Sequence, residues 1–271
     1  MSQIRKRTVD GNWKHVEPFC QLCYGEWYDQ YSKVGEETTE THPSKRSLVD
    51  SLRTTAKNPE DATKALSAIS TEVTNDRANG DEEKLEAVLQ TMMKYLLRPT
   101  IQAQACDVLL ECASSNDDTR SVIGKHGGID AILAAMKEHL KVAEFQEQAC
   151  GALWYLSANN GNNKIEIAAK GGIDAILRAM KEHPKAAAVQ ASACGALWIL
   201  TLGNDRNAID TAAKGGTVAA LSALEQHPAN FPVEEHTRGL ACGLLVHLAF
   251  YMNNGAGISS RGVVAALLAV L

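Results

Sequence analysis

The sequence predicts an all-α protein in which near-identical helical units follow one another along the chain. The segment GGIDAILAAMKEH at 127–139 returns 44 residues later as GGIDAILRAMKEH at 171–183, with a single change. A second signal, ACGALW, starts at residue 149 and again at residue 193, so it repeats with the same offset. Units that recur at a fixed spacing of this length are typical of proteins built from stacked helical repeats.

The composition is that of a folded chain whose core is made of small and branched side chains. Of the 271 residues, 45% are hydrophobic and 22% are charged, but only 5% are aromatic. The net charge is −5 and the basic residues form no dense run, which disfavours a nucleic-acid partner. The sequence has neither the roughly 20 consecutive apolar residues of a membrane span nor an N-terminal secretory signal. We therefore expect a cytoplasmic or nuclear protein that does not insert into membranes.

An N-terminal extension and linker, residues 1–46, precedes the repeats of residues 47–271. The extension contains six of the fourteen aromatic residues of the chain: Trp13, Phe19, Tyr24, Trp27, Tyr28 and Tyr31. A segment this apolar is not expected to be a free tail. Two roles stay open for it. It is either a cap that covers the first repeat or a docking arm for a larger assembly.

The extension also contains a Cys-x-x-Cys pair, Cys20 and Cys23, which is a spacing found in zinc sites. His15 and His42 would complete a set of four ligands. They do not form the second close pair that structural zinc sites usually have. We therefore expect no cofactor, and zinc at these four residues is the alternative.

The recurring signals divide residues 47–271 into segments. These are a degenerate segment at 47–81, a weak repeat at 82–126, clear repeats at 127–170, 171–214 and 215–260, and a partial repeat at 261–271. In one clear repeat, Ile173, Ile176 and Met180 are spaced i, i+3, i+7, which places them on one face of a helix. A long helix with ACGALW follows, and NNKIEIAAK at 162–170 fits a short helix.

Two further patterns mark the ends of helices within the repeats. Gly171 is expected to take the left-handed conformation that ends a helix, and Gly172 is expected to be the N-cap of the next one. His139, His183 and His227 recur at helix ends, which indicates helix capping rather than metal binding.

Four of the seven cysteines fall at equivalent points of the repeats: Cys106, Cys150, Cys194 and Cys242. This placement is typical of buried small residues in a reducing compartment rather than of a disulfide framework. Because a single unit cannot bury its apolar face alone, we expect each unit to pack against its neighbours.

Three helices with a glycine corner, followed by the ACGALW signal, resemble an armadillo repeat from about Ser47 to the end of the chain. The resemblance implies a right-handed superhelical solenoid with an aromatic-rich N-terminal extension. It also implies a non-enzymatic scaffold or adaptor that binds a protein or peptide in a concave groove lined by the third helices. The positions that would form this groove are Asp107, Glu111, Gly151, Trp154, Tyr155, Gly195, Trp198, Ile199, Gly243, His247 and Phe250.

The groove departs from that of the nuclear-import carriers of this family, whose third helices present a Trp and a peptide-binding Asn. The matching pairs here begin with Gly151 and Tyr155, and no Asn occupies any matching position, which disfavours a peptide carrier of that type. Trp154 and Trp198 fit either packing between repeats or contact with a partner. Tyr155 favours partner contact because its hydroxyl needs a wet or polar neighbour.

The sequence contains no catalytic motif, so we expect that the protein is not an enzyme. The Lys-Gly-Gly corners lack the frame of a phosphate-binding loop, and no Ser or Cys lies in a nucleophile motif.

The segment RGVVAALLAVL at 261–271 offers no polar face after Arg261, although the terminal helix of a solenoid normally does. We expect either that the chain is a fragment of a longer array or that this helix contacts a partner or a second copy. The alternative function is therefore a structural subunit, embedded in a larger complex through the aromatic extension and this helix.

Overall fold

The structure of the protein is a computed structural model that describes residues 52, 58–75, 82–227 and 232–252. All of them belong to one compact unit, Pro43–Leu271. The aromatic extension, the four residues considered for zinc and the segment 261–271 lie outside the described residues, so the expectations for them stay predictions.

The described residues form twelve helices and no strand, which confirms the all-α class for this part of the chain. The helices are α1 (Pro59–Asn75), α2 (Glu82–Lys94), α3 (Pro99–Ser115), α4 (Asp117–Lys125), α5 (Gly128–Glu138), α6 (Ala143–Ser157), α7 (Gly161–Ala169), α8 (Gly172–Glu182), α9 (Ala187–Thr201), α10 (Asp205–Ala213), α11 (Gly216–Gln226) and α12 (Pro232–Met252). None of these described helices is both long enough and apolar enough to span a membrane.

From α4 onward the helices come in sets of three. Each set has a short helix of 9 residues, a middle helix of 11 residues and a long helix, which has 15 residues in α6 and α9. We call α4–α6 the first layer, α7–α9 the second layer and α10–α12 the third layer. Helices α2 and α3 stand before them as a middle and a long helix without a described short one.

The long helices pack against one another in chain order. Helix α3 contacts α6, α6 contacts α9 and α9 contacts α12, and these are the most extensive contacts between described helices. The middle helices α2, α5, α8 and α11 also contact one another in sequence. The side chains of Leu153 and Leu197, at equivalent points of α6 and α9, are fully buried. Burial of such apolar surface between neighbours is what drives helices of this kind to pack.

The glycine corners take the predicted conformation. Gly127, Gly171 and Gly215 have φ angles of 82°, 84° and 93°, a left-handed region that favours glycine. Each of these glycines is itself the N-cap of the middle helix, so Gly172 is the first helical residue and not the N-cap that we expected. A Cβ on Gly172 would lie 2.8 Å from the carbonyl oxygen of Ile167, so close packing at the corner requires the second glycine as well.

Asparagine starts each short helix. The side chains of Asn116, Asn160 and Asn204 accept a hydrogen bond from the backbone N–H three residues later, at 2.7, 3.0 and 3.0 Å. These bonds satisfy one of the free N–H groups at each helix start, so the boundary of every short helix is fixed in the same way.

Candidate interaction surface

Buried amides connect each layer to the one before it. The Nδ2 atom of Asn163 donates to the carbonyl oxygen of Arg120, 43 residues earlier, at 2.9 Å, and to that of Leu156 at 2.8 Å. Asn207 makes the equivalent bonds to Lys164 and Leu200 at 3.1 and 3.0 Å. Because each amide bonds to two carbonyl oxygens of the preceding layer, one on its short helix and one on its long helix, it fixes the position of one layer on the next.

Histidines connect the middle helices in a similar way. The Nε2 atoms of His139, His183 and His227 lie 2.6, 2.7 and 3.0 Å from the carbonyl oxygens of Leu96, Leu140 and Pro184. A carbonyl oxygen only accepts, so each Nε2 carries the hydrogen of this bond. The predicted position at the helix end is correct, since each histidine is the C-cap residue. The sequence did not indicate that each ring reaches the preceding turn.

A third set of bonds sets the angle between the middle and long helices. The Nε2 atom of Gln146 donates to the carbonyl oxygens of Met136 and His139 at 2.9 and 3.0 Å. Gln102 and Gln190 make equivalent bonds. In the third layer Arg238 replaces glutamine and donates to the carbonyl oxygen of Leu224 at 3.2 Å.

Two exposed ion pairs repeat with the same spacing. The Nζ atom of Lys170 lies 2.6 Å from Asp130, and that of Lys214 lies 2.7 Å from Asp174. Each pair connects the glycine corner of one layer to the middle helix of the preceding layer. Exposed pairs of this kind add little stability, so the buried amides and histidines are the main polar contacts between layers.

The predicted groove residues include close contacts between a large side chain and a glycine on the next long helix. A Cβ on Gly195 would lie 2.4 Å from Cζ3 of Trp154, and a Cβ on Gly243 would lie 2.7 Å from Cζ3 of Trp198. Gly151 stands in the same relation to Leu110. Of the two interpretations left open for the tryptophans, packing between successive long helices is therefore present in the structure.

Trp154 and Tyr155 are mostly covered. Their rings stack with centroids 6.2 Å apart and an interplanar angle of 24°. Only 7% of Trp154 and 2% of Tyr155 is exposed, and Ile199 is buried as well. This corrects the expectation that Tyr155 presents its ring to a partner, because its ring packs within the layers instead.

Other predicted groove positions keep part of their surface accessible. They are Asp107, Glu111, Trp198, Gly243 and His247, whereas Gly151 and Gly195 are buried. The side chain of Phe250 lies outside the described residues. Ser70 donates a hydrogen bond to Asp107 at 3.2 Å, so α1 contributes to the same row.

Two carboxylates on α6, Glu144 and Glu147, were not predicted from the sequence as groove residues. Glu147 precedes Gly151 by one helical turn, so it shares the predicted groove face, and this spacing is the signal that would have identified it. Burial raises the pKa of Glu147, and the negative charge of Glu144 raises it further. Burial also raises the pKa of Asp107, although the hydrogen bond from Ser70 lowers it in part. Burial lowers the pKa of His247.

The thiols of the described cysteines are poor nucleophiles. Burial raises the pKa of Cys194 and of Cys112 to about 12, and it raises those of Cys106 and Cys150 further. Cys106, Cys150 and Cys194 are buried as predicted, but Cys242 is only half-buried. A thiol with such a pKa is almost entirely protonated at neutral pH and reacts slowly. Within the described ranges, no group of three or more His, Cys, Asp or Glu side chains could hold a metal ion.

No protein-family model matches the chain, and no curated protein matches it. The arrangement of the described residues offers a row of long helices held in fixed register. It places carboxylates on α3 and α6, and Trp198 and His247 on α9 and α12.

Proposed function

We propose that the chain is an armadillo-type helical solenoid and that it acts as a non-enzymatic scaffold. Its protein or peptide partner binds along the row formed by α3, α6, α9 and α12. The observation that carries the proposal is the set of bonds from Asn163, Asn207 and the three histidines to carbonyl oxygens 43 residues earlier. Contacts that repeat between neighbouring units only are typical of solenoids.

The mechanism is the presentation of a rigid surface. Because amides, histidines and glutamines hold each helix at several points, the scaffold loses little conformational entropy when a partner binds. The chemistry of the row changes along its length, from Asp107, Glu111 and Glu147 at one end to Trp198 and His247 at the other. Such a gradient favours one orientation of the partner over the reverse one.

Two observations support a role as scaffold rather than as import-type carrier or thiol enzyme. The buried asparagine amides are used between layers, where they cannot bond a peptide. The described thiols have raised pKa values. All five described cysteines are free, which fits the cytoplasm or the nucleus.

Site-specific photo-crosslinking in the native source tests the proposal. A benzophenone amino acid replaces Gln148 or Ser192, which are half-buried on the long helices, and Ile165 or Ile209, which are exposed on the short helices, as matched controls. We expect a common partner to crosslink through positions 148 and 192 and not through 165 and 209. With the identified partner purified, Trp198→Ala should weaken binding by more than about tenfold, and Ile209→Ala should not. Crosslinking through the short helices alone would contradict the proposal.

A further inference from the structure

The histidine bonds bring three chain turns together into one continuous edge. Residues 93–98, 137–142 and 181–186 each include the end of a middle helix and the turn that leads to the long helix, and we call these residues the turn edge. In each turn a backbone N–H bonds to the carbonyl oxygen three residues earlier, at 2.9, 3.0 and 3.1 Å. The ring of His139 reaches Leu96 in the first turn, and that of His183 reaches Leu140 in the second. The three turns are therefore direct neighbours.

The turn edge is basic although the chain has a net charge of −5. Its cations are Lys94, Arg98, Lys137, Lys141, Lys181 and Lys185, and its carboxylates are Glu138 and Glu182. All of these residues are exposed. A local excess of positive charge on an acidic chain attracts a negatively charged partner.

One end of the turn edge is apolar. Met93 is 67% exposed and Leu97 is 72% exposed. The residues 44 positions later are Lys137 and Lys141, and lysines follow again at 181 and 185. The same turn therefore folds with lysine at both positions, so folding does not require the methionine and leucine. Large apolar side chains that are exposed together on one turn offer a patch on which an apolar side chain of a partner can pack.

We propose that the turn edge is a second interaction surface, separate from the row of long helices. It binds an acidic segment of a partner protein, and a large apolar side chain of that segment packs on Met93 and Leu97. Neighbouring layers are about 10 Å apart. A segment in the polyproline II conformation has three residues per turn and rises about 3.1 Å per residue, so acidic residues at every third position share one face and meet one turn per layer.

A protein segment fits this surface better than a nucleic acid or a lipid headgroup layer does. Glu138 and Glu182 stand between the lysines of the second and third turns, where they would repel a continuous array of phosphates. The apolar end offers contact to a side chain but nothing to a phosphate backbone. An acidic segment with an apolar anchor satisfies both features.

The probe is a fluorescein-labelled peptide of about twelve residues, with Phe and Leu at one end followed by Glu at every third position among Pro and Ser, which favour the polyproline II conformation. Fluorescence anisotropy with the full chain at low ionic strength should detect binding that weakens as salt is added. Lys141→Glu combined with Lys185→Glu should weaken binding about tenfold. The matched control is Lys125→Glu with Arg206→Glu, which makes the same charge change at exposed positions on short helices and should leave the affinity within about twofold.

The sharpest variant is Met93→Lys combined with Leu97→Lys, which copies the residues of the later turns and adds positive charge. If the apolar anchor matters, this variant weakens binding about tenfold in spite of its charge. Tighter binding by this variant would overturn the proposal. So would equal affinity for a peptide with Lys in place of Glu, tighter binding of single-stranded DNA or of phosphatidylserine vesicles, or no peptide binding up to about 1 mM. Circular dichroism melting of each variant checks that it is folded.

Discussion

The indole of Trp154 lies against Gly195 so closely that a Cβ on the glycine would be 2.4 Å from Cζ3 of the ring. The long helix α6 thus meets the bare backbone of α9 at this point. Trp198 and Gly243 repeat the contact between α9 and α12. The large tryptophan ring fits because the glycine on the next helix has no side chain. A change at either position therefore affects the packing of the other.

Gly195→Ala should therefore destabilise the protein. Alanine favours helix by about 1 kcal/mol over glycine, but the crowding against Trp154 should outweigh that gain and lower the free energy of unfolding by about 1–3 kcal/mol. Gly239→Ala is the matched control, because this glycine is also within a long helix and a Cβ there meets nothing within 4 Å. Guanidinium denaturation should show a gain of about 0.5–1 kcal/mol for the control. A similar gain for Gly195→Ala would refute the contact.

The sequence was sufficient to predict the structural features that depend on residues close together in the chain. The glycine pair at 171–172 and the period of Ile173, Ile176 and Met180 predicted a corner and an amphipathic helix, and both are present. The all-helical class followed from the same patterns. Each of these features is determined by residues within a few positions of one another, where backbone preference and side-chain period act directly.

The contacts between layers could not be derived in that way. Asn163 and Arg120 are 43 residues apart, and nothing in either residue shows that the amide of one meets the carbonyl oxygen of the other. The burial of Tyr155 has the same origin, since it depends on packing that the hydroxyl alone does not indicate. The recurrence of Asn, Gln and His at a spacing of 44 was visible, but its meaning required the distance between neighbouring layers.

Asn163→Ala tests the amide bonds between layers. The substitution removes the bonds to Arg120 and Leu156 in a buried place, so we expect the free energy of unfolding to fall by about 2–3 kcal/mol. Asn162→Ala changes the neighbouring residue, which is exposed, and should cost less than about 0.5 kcal/mol. Hydrogen exchange should also become faster in α4, α6 and α7, the three helices that the amide joins. Equal effects of the two variants would argue against the cross-layer bond.

Glu147 should make stability depend on pH. Its pKa in the folded chain is raised above the ordinary value of 4.5 by burial and by Glu144, so its carboxyl ionises less readily in the folded than in the unfolded chain. The free energy of unfolding therefore falls as the pH rises from 4.5 through the raised pKa. Glu147→Gln should remove this part of the slope and be more stable than the parent at pH 7. Urea denaturation at several pH values between 4.5 and 7 measures both effects, with the exposed Glu138→Gln as control.

The cysteines provide a probe of the layers themselves. In a variant with Cys20 and Cys23 replaced by Ser, five thiols remain, and Cys242 is the half-buried one. We expect a disulfide reagent at pH 8 to modify Cys242 first. The buried thiols of Cys106, Cys150 and Cys194 should react more slowly, because their layers must open and their pKa values are raised. Mass spectrometry of peptides after timed labelling gives the order.

The order of labelling also discriminates between stacked layers and separate cores. In a stack, Cys150 and Cys194 are covered by long helices on both sides, α3 and α9 for the first and α6 and α12 for the second. Their labelling should therefore require the opening of a neighbour, and Gly195→Ala, which disturbs the α6–α9 contact, should accelerate both more than it accelerates Cys106. If Cys150 instead reacts as fast as Cys242 in the parent, the long helices do not protect one another, and the layers do not act as a stack.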